Sequence, residues 1–156
     1  DKVMIQDFLF NSKYKSTTTG TLFHSIMAEI HYSFQAEKVI DDFYLRGLIN
    51  GEEKKSFLLS IQRIVNDPLL QELFSLNVEV LNEREVLMND KSILKPDRVV
   101  FHNPGQISII DYKTGEEINK HKIQLKEYAS RMKELGLKVK NLFLVYTLST
   151  HKVVKI

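Results

Sequence analysis

Past Leu76 the apolar residues stop recurring at the spacing of a helix and begin to alternate, and that switch constrains the fold. Residues 1–76 therefore read as a mainly helical part and 77–156 as a mixed part of strands and helix. Leu22, Phe23, Ile26, Met27, Ile30 and Phe34 predict a first helix over Thr21–Phe34, with Thr18 or Thr19 as its cap. Val39, Ile40, Phe43, Tyr44 and Leu48 predict a second, stopped by Asn50–Gly51. Glu52–Val65 predicts a third, with acids at its positively polarised start, and Asp67–Pro68 opens a short fourth through Phe74. After the switch, "VEVLNEREVLM" (Val78–Met88), "LKPDRVVF" and "QISIIDYK" predict three consecutive strands parted by turns. A helix over "INKHKIQLKEYASRMKEL" carries an apolar stripe of Leu125, Met132 and Leu135 and ends at Gly136. "NLFLVYTL" and "HKVVKI" predict two closing strands, the first apolar enough to be central. This order predicts an α/β fold: a mixed central sheet flanked by helices, with an N-terminal helical segment, in one domain.

Composition removes several function classes. Without a cysteine the chain has no disulfide framework, thiolate zinc site or iron–sulfur cluster, which fits a reducing cytoplasm. No apolar run reaches the length of a membrane span, so no membrane partner is expected. A net charge of +2 gives no general attraction for nucleic acid, so any such role must come from a local patch. Without a GxxxxGK[ST] sequence the chain has no nucleotide-driven motor of its own. It begins at Asp1 rather than Met, which suggests a piece of something longer.

Charge concentrates where the strand pattern is clearest. Asp111 and Lys113 alternate onto one strand face behind Ile107 and Ile109, so that strand runs from core to a charged edge. An antiparallel neighbour starting at Asp97 would bring a second acid beside Asp111. Two adjacent carboxylates repel unless a cation joins them, and a hard ion such as Mg²⁺ suits oxygen ligands. Such an ion can activate water and stabilise charge on a phosphoryl oxygen, and a neighbouring lysine can hold the charged transition state. The residue types therefore point to phosphodiester hydrolysis.

The spacing Pro96–Asp97, thirteen residues, then Asp111–Tyr112–Lys113 resembles the PD-(D/E)XK nuclease signature, and "DYKTG" resembles the form in RecB/AddA-like nucleases. "GTLFH" (Gly20–His24) is similar to that group's upstream histidine motif, and Gln124 and Tyr128 are similar to its Q-x-x-x-Y motif on one helix face. The four elements stand in the family's order over residues 20 to 130. The resemblance implies a restriction-endonuclease-like core. It makes His24, Asp97, Asp111 and the backbone carbonyl of Tyr112 ligands of Mg²⁺ or Mn²⁺, with Asp97, Asp111 and Lys113 catalytic. Gln124 and Tyr128 would position DNA. Glu83 stands where relatives often carry a glutamate, but a solvated strand face explains it equally well, so it is left out of the predicted site. The implied partners are DNA and a helicase motor in the same polypeptide or complex, and the implied role is end processing in double-strand-break repair and recombination. A catalytically inert domain of the same fold and a stand-alone restriction- or phage-type nuclease are the alternatives. Lys13, Lys15, Lys95, Arg98, Lys120, Lys122 and Lys126 are the candidates for phosphate contact.

Overall fold

The computed structural model describes residues 19–156, so Thr18, Lys13 and Lys15 lie outside the described residues. Helix α1 covers residues 19–29, α2 Ala36–Leu45 and α3 Gly51–Val65. The predicted first helix stops short of Phe34, whose side chain is 68% exposed. Gln35 explains the stop: its Oε1 accepts from the backbone N–H groups of His31 and Tyr32 and starts a new 3₁₀ turn, Ser33–Gln35. Asn50–Gly51 does not end α2. Gly47 does, in the left-handed region at φ 72° that glycine adopts without a steric penalty. Asn50 instead caps α3, accepting from Glu53 N at 2.8 Å while Glu53 Oε1 accepts from Asn50 N at 3.0 Å. The predicted fourth helix is only a 3₁₀ turn, Gln71–Phe74.

The five-stranded sheet has the order β1–β4–β5–β6–β7, with β1 Glu79–Asn82, β4 Arg98–Asn103, β5 Gln106–Lys113, β6 Lys138–Tyr146 and β7 Lys152–Lys155. Only β5 and β6 are parallel, joined by helix α4, Asn119–Glu134; the other pairings are antiparallel. The predicted strand Val78–Met88 breaks at Glu83, whose φ of 50° leaves the extended region. Its second part, β2 Val86–Leu87, pairs with β3 Ile93–Leu94 in a separate ribbon. The strand predicted from Leu94 pairs in the main sheet only from Arg98, because Lys95–Asp97 do not join the ladder and Pro96 has no N–H to donate.

Each sheet face has its own core. Phe23, Ile26, Ile40, Phe57 and Ile61 of α1–α3 pack with Ile110 and Tyr112 of β5. Leu125, Ala129 and Met132 of α4 pack with Ile107, Ile109 and Leu144 on the other face. Burial of each large aliphatic side chain stabilises by about 1.5–3 kcal/mol, which locks α1 and α4 on opposite sides of β5. Leu135, predicted on the α4 stripe, is 39% exposed because it is the C-cap, with Gly136 beyond it at φ 82°. Among the described residues no helix is long and apolar enough to cross a membrane.

Candidate metal centre

The register of β4 and β5 builds the acidic pair. Arg98 stands opposite Ile110, so Asp97 before it and Asp111 after Ile110 meet at the same end of the sheet. The backbone N–H of Tyr112 donates to Asp97 Oδ2 at 2.7 Å, holding the carboxylate across the strand gap. Alternation along β5 turns Tyr112 towards α1 and Asp111 towards α4. The Tyr112 ring packs edge-on against Phe23 and His24 of α1, with centroids 5.8 and 6.3 Å away. That contact helps set the histidine ring over the acids.

His24 Nδ1 lies 3.4 Å from Asp97 Oδ1 and 3.6 Å from Glu83 Oε1. One ligand atom from each of His24, Glu83 and Asp97 falls within 4.8 Å of the others. Glu83 is absent from the site predicted from the sequence. The strand break that hid its role also places it: its backbone N–H donates to Asp97 O at 3.0 Å as the chain turns out of β1. Asp111, paired with Asp97 in the predicted site, instead accepts from Lys113 Nζ at 2.9 Å.

The electrostatics are those of a site short of positive charge. Burial pushes the Asp97 carboxyl up to about 8; His24 opposes the rise and Asp111 adds to it. His24 is raised as well, first by its hydrogen bond with Asp97 and then by the charges of Asp97, Glu83 and Asp111. The pair therefore retains a proton near neutral pH, the condition a divalent cation would relieve by displacing it. Two carboxylates and an imidazole form an oxygen-rich donor set suited to Mg²⁺ or Mn²⁺, and Asp111 and Tyr112 line the same cleft.

The cleft has a volume of about 600 Å³ and gathers His24, Asp97, Asp111, Lys113, Gln124 and Tyr128. Lys113 Nζ also donates to Gln124 Oε1 at 3.0 Å, and Gln124 Nε2 reaches Tyr128 Oη at 3.5 Å. The spacing of four between Gln124 and Tyr128 puts both on the cleft side of α4. Every side chain of the predicted site thus reaches one cavity, from four segments of the chain: α1, the residue before β4, β5 and α4. His121 also lines it, held by Tyr146 Oη at 2.9 Å from Nδ1; nothing in its sequence context had marked it. Among the predicted phosphate contacts, Lys95 lines the cleft and lies 3.6 Å from Glu83. Arg98 is fully buried and cannot meet a phosphate. Lys120 and Lys126 are exposed on α4, and Lys122 is half-buried. No protein-family model matches the chain, and comparison with curated proteins gives no match either.

Proposed function

We propose that this chain is a metal-dependent deoxyribonuclease domain of the PD-(D/E)XK type, RecB/AddA-like, with a restriction-endonuclease-like core. The observation that carries the reading is the convergence of His24, Asp97, Asp111, Lys113, Gln124 and Tyr128 on one cleft, from motifs spread over residues 20 to 130. His24, Asp97 and Glu83 would hold Mg²⁺ or Mn²⁺, with Asp111 and the Tyr112 carbonyl on the same rim. A bound ion there supplies polarisation of a phosphoryl oxygen and a water of lowered pKa.

The remaining roles belong to the chain's own side chains. Asp111 and Gln124 hold the Lys113 ammonium from two sides, at 2.9 and 3.0 Å, so it is already oriented when negative charge develops on the scissile phosphate. A fixed donor of this kind costs no reorganisation during the reaction. Gln124 and Tyr128 form the cleft wall that would seat the DNA backbone. The modest charge of +2 suits a domain to which an attached helicase motor delivers DNA, and the absence of cysteine suits the cytoplasm. End processing in double-strand-break repair and recombination is the corresponding role.

A time course on end-labelled single- and double-stranded DNA, with Mg²⁺ and with chelator, tests the proposal. Chelator-sensitive cleavage is the expected outcome. Tight Mn²⁺ binding without cleavage of either substrate would favour a catalytically inert nuclease fold.

A further inference from the structure

The structure assigns Asn82 and Arg98 as positioning residues that fix the helix bearing His24 against the two strand ends bearing Glu83 and Asp97. The inference rests on the metal reading above and adds residues that touch neither ion nor DNA. Asn82 and Arg98 are register partners across β1 and β4, and Arg98 Nη1 donates to Asn82 Oδ1 at 3.2 Å. Both then grip the last carbonyls of α1 and the residues after it. Asn82 Nδ2 donates to Ala28 O at 3.2 Å and Ile30 O at 3.0 Å. Arg98 donates from Nη1 to Ile30 O at 2.8 Å and from Nη2 to His31 O at 2.6 Å and Leu73 O at 2.7 Å.

The placement in sequence is what gives this knot its consequence. Asn82 is bonded to Glu83, Arg98 is bonded to Asp97, and His24 lies one helical turn before Ala28. All three side chains of the donor set are therefore referenced to one hydrogen-bonded cluster. Arg98 also stabilises the fold through these bonds, so metal affinity, read beside melting, separates the positioning role from stability. Arg98 is fully buried, lies 3.9 Å above the Phe74 ring, and has no carboxylate partner among the described residues. An apolar side chain there would leave the carbonyls of Ile30, His31 and Leu73 without this donor. The planar fork fixes these carbonyls in one geometry, and a helix end supplies the partial negative charge that a guanidinium needs.

The test is Mn²⁺ calorimetry with parallel thermal melts on wild type, Asn82→Ala, Arg98→Met, Arg98→Lys and the core control Ile64→Val. Asn82→Ala is expected to weaken Mn²⁺ binding about tenfold and the Arg98 variants about 10- to 100-fold, the range for residues that orient ligands. Lysine should not rescue, because it keeps the charge and loses the fork. Ile64→Val, buried in α3 away from the cleft, is expected to lower the melting temperature with Mn²⁺ affinity unchanged. If Arg98→Met does not fold, Asn82→Ala decides. Wild-type affinity in a folded Asn82→Ala, or equal losses in Ile64→Val, overturns the positioning role. No Mn²⁺ binding by wild type overturns the metal reading itself, and this inference with it.

Discussion

Replacing Asp97 by asparagine should stabilise the metal-free domain while removing its affinity for metal. Burial raises this carboxyl from 3.8 to about 8. At pH 7 the folded state keeps the proton and the unfolded state has lost it, so folding must take one up. Each tenfold in that equilibrium is worth about 1.4 kcal/mol, which makes the full penalty on the order of 4 kcal/mol at neutral pH. The value of about 8 already includes the relief that His24 gives, so asparagine should gain up to about 4 kcal/mol, or roughly 8–16 °C in melting temperature for a domain of this size. Asparagine has the same shape, can accept from Tyr112 N, and never ionises. The sign follows from the raised folded value: the stability of the protonated acid is complete below the unfolded value and is lost as pH rises towards the folded one. The two proteins should therefore melt alike near pH 4 and diverge up to about pH 8, with asparagine the more stable. Thermal melts in chelator across that range measure the divergence. A variant destabilised equally at every pH would refute the claim that the buried charge is what strains this site.

Two further perturbations test neighbouring parts of the site. Mn²⁺ should bind more tightly as pH rises from about 6 to 8, because the ion displaces the proton shared by His24 and Asp97, and calorimetry in buffers of different ionisation heat should show proton release; affinity independent of pH would contradict this. A Cβ at Gly20 would meet Thr114 Oγ1 at 3.0 Å, so Gly20→Ala should lower stability by tightening α1 against the end of β5. In a Thr114→Ala background the same change should instead stabilise by up to about 1 kcal/mol, the ordinary helix preference for alanine over glycine; additive effects in denaturant melts would rule out the contact.

The pattern of residues 106–113 and 119–134 was sufficient to place β5 and α4 because β5 is a short apolar run buried on both faces and α4 buries one apolar stripe. The same pattern misled at Val78–Met88. Period two continues through Glu83, and a single left-handed residue is invisible to periodicity, so one long strand was predicted where the chain turns and leaves Glu83 pointing at His24. Arg98 shows a second limit. Beside an acid at a strand start it reads as a surface cation, whereas the carbonyls it satisfies lie 25 to 68 residues away and come together only in the folded chain. The motif residues themselves were legible because strand alternation and a spacing of four fix which side chains share a face. Which of them would sit within ligand distance was not, since the group within 4.8 Å among the described residues holds Glu83 and not Asp111.

The most direct measurement of the central claim is cleavage of end-labelled DNA in Mg²⁺ by Lys113→Met beside wild type, with Mn²⁺ affinity measured on the same preparations. Lys113 contacts Asp111 and Gln124 but is not among the three grouped ligands, so its loss should spare metal binding. Cleavage should fall by at least about 10²–10³-fold, the cost of removing one fixed donor to developing charge. A folded Lys113→Met protein that cuts DNA at the wild-type rate would contradict the account.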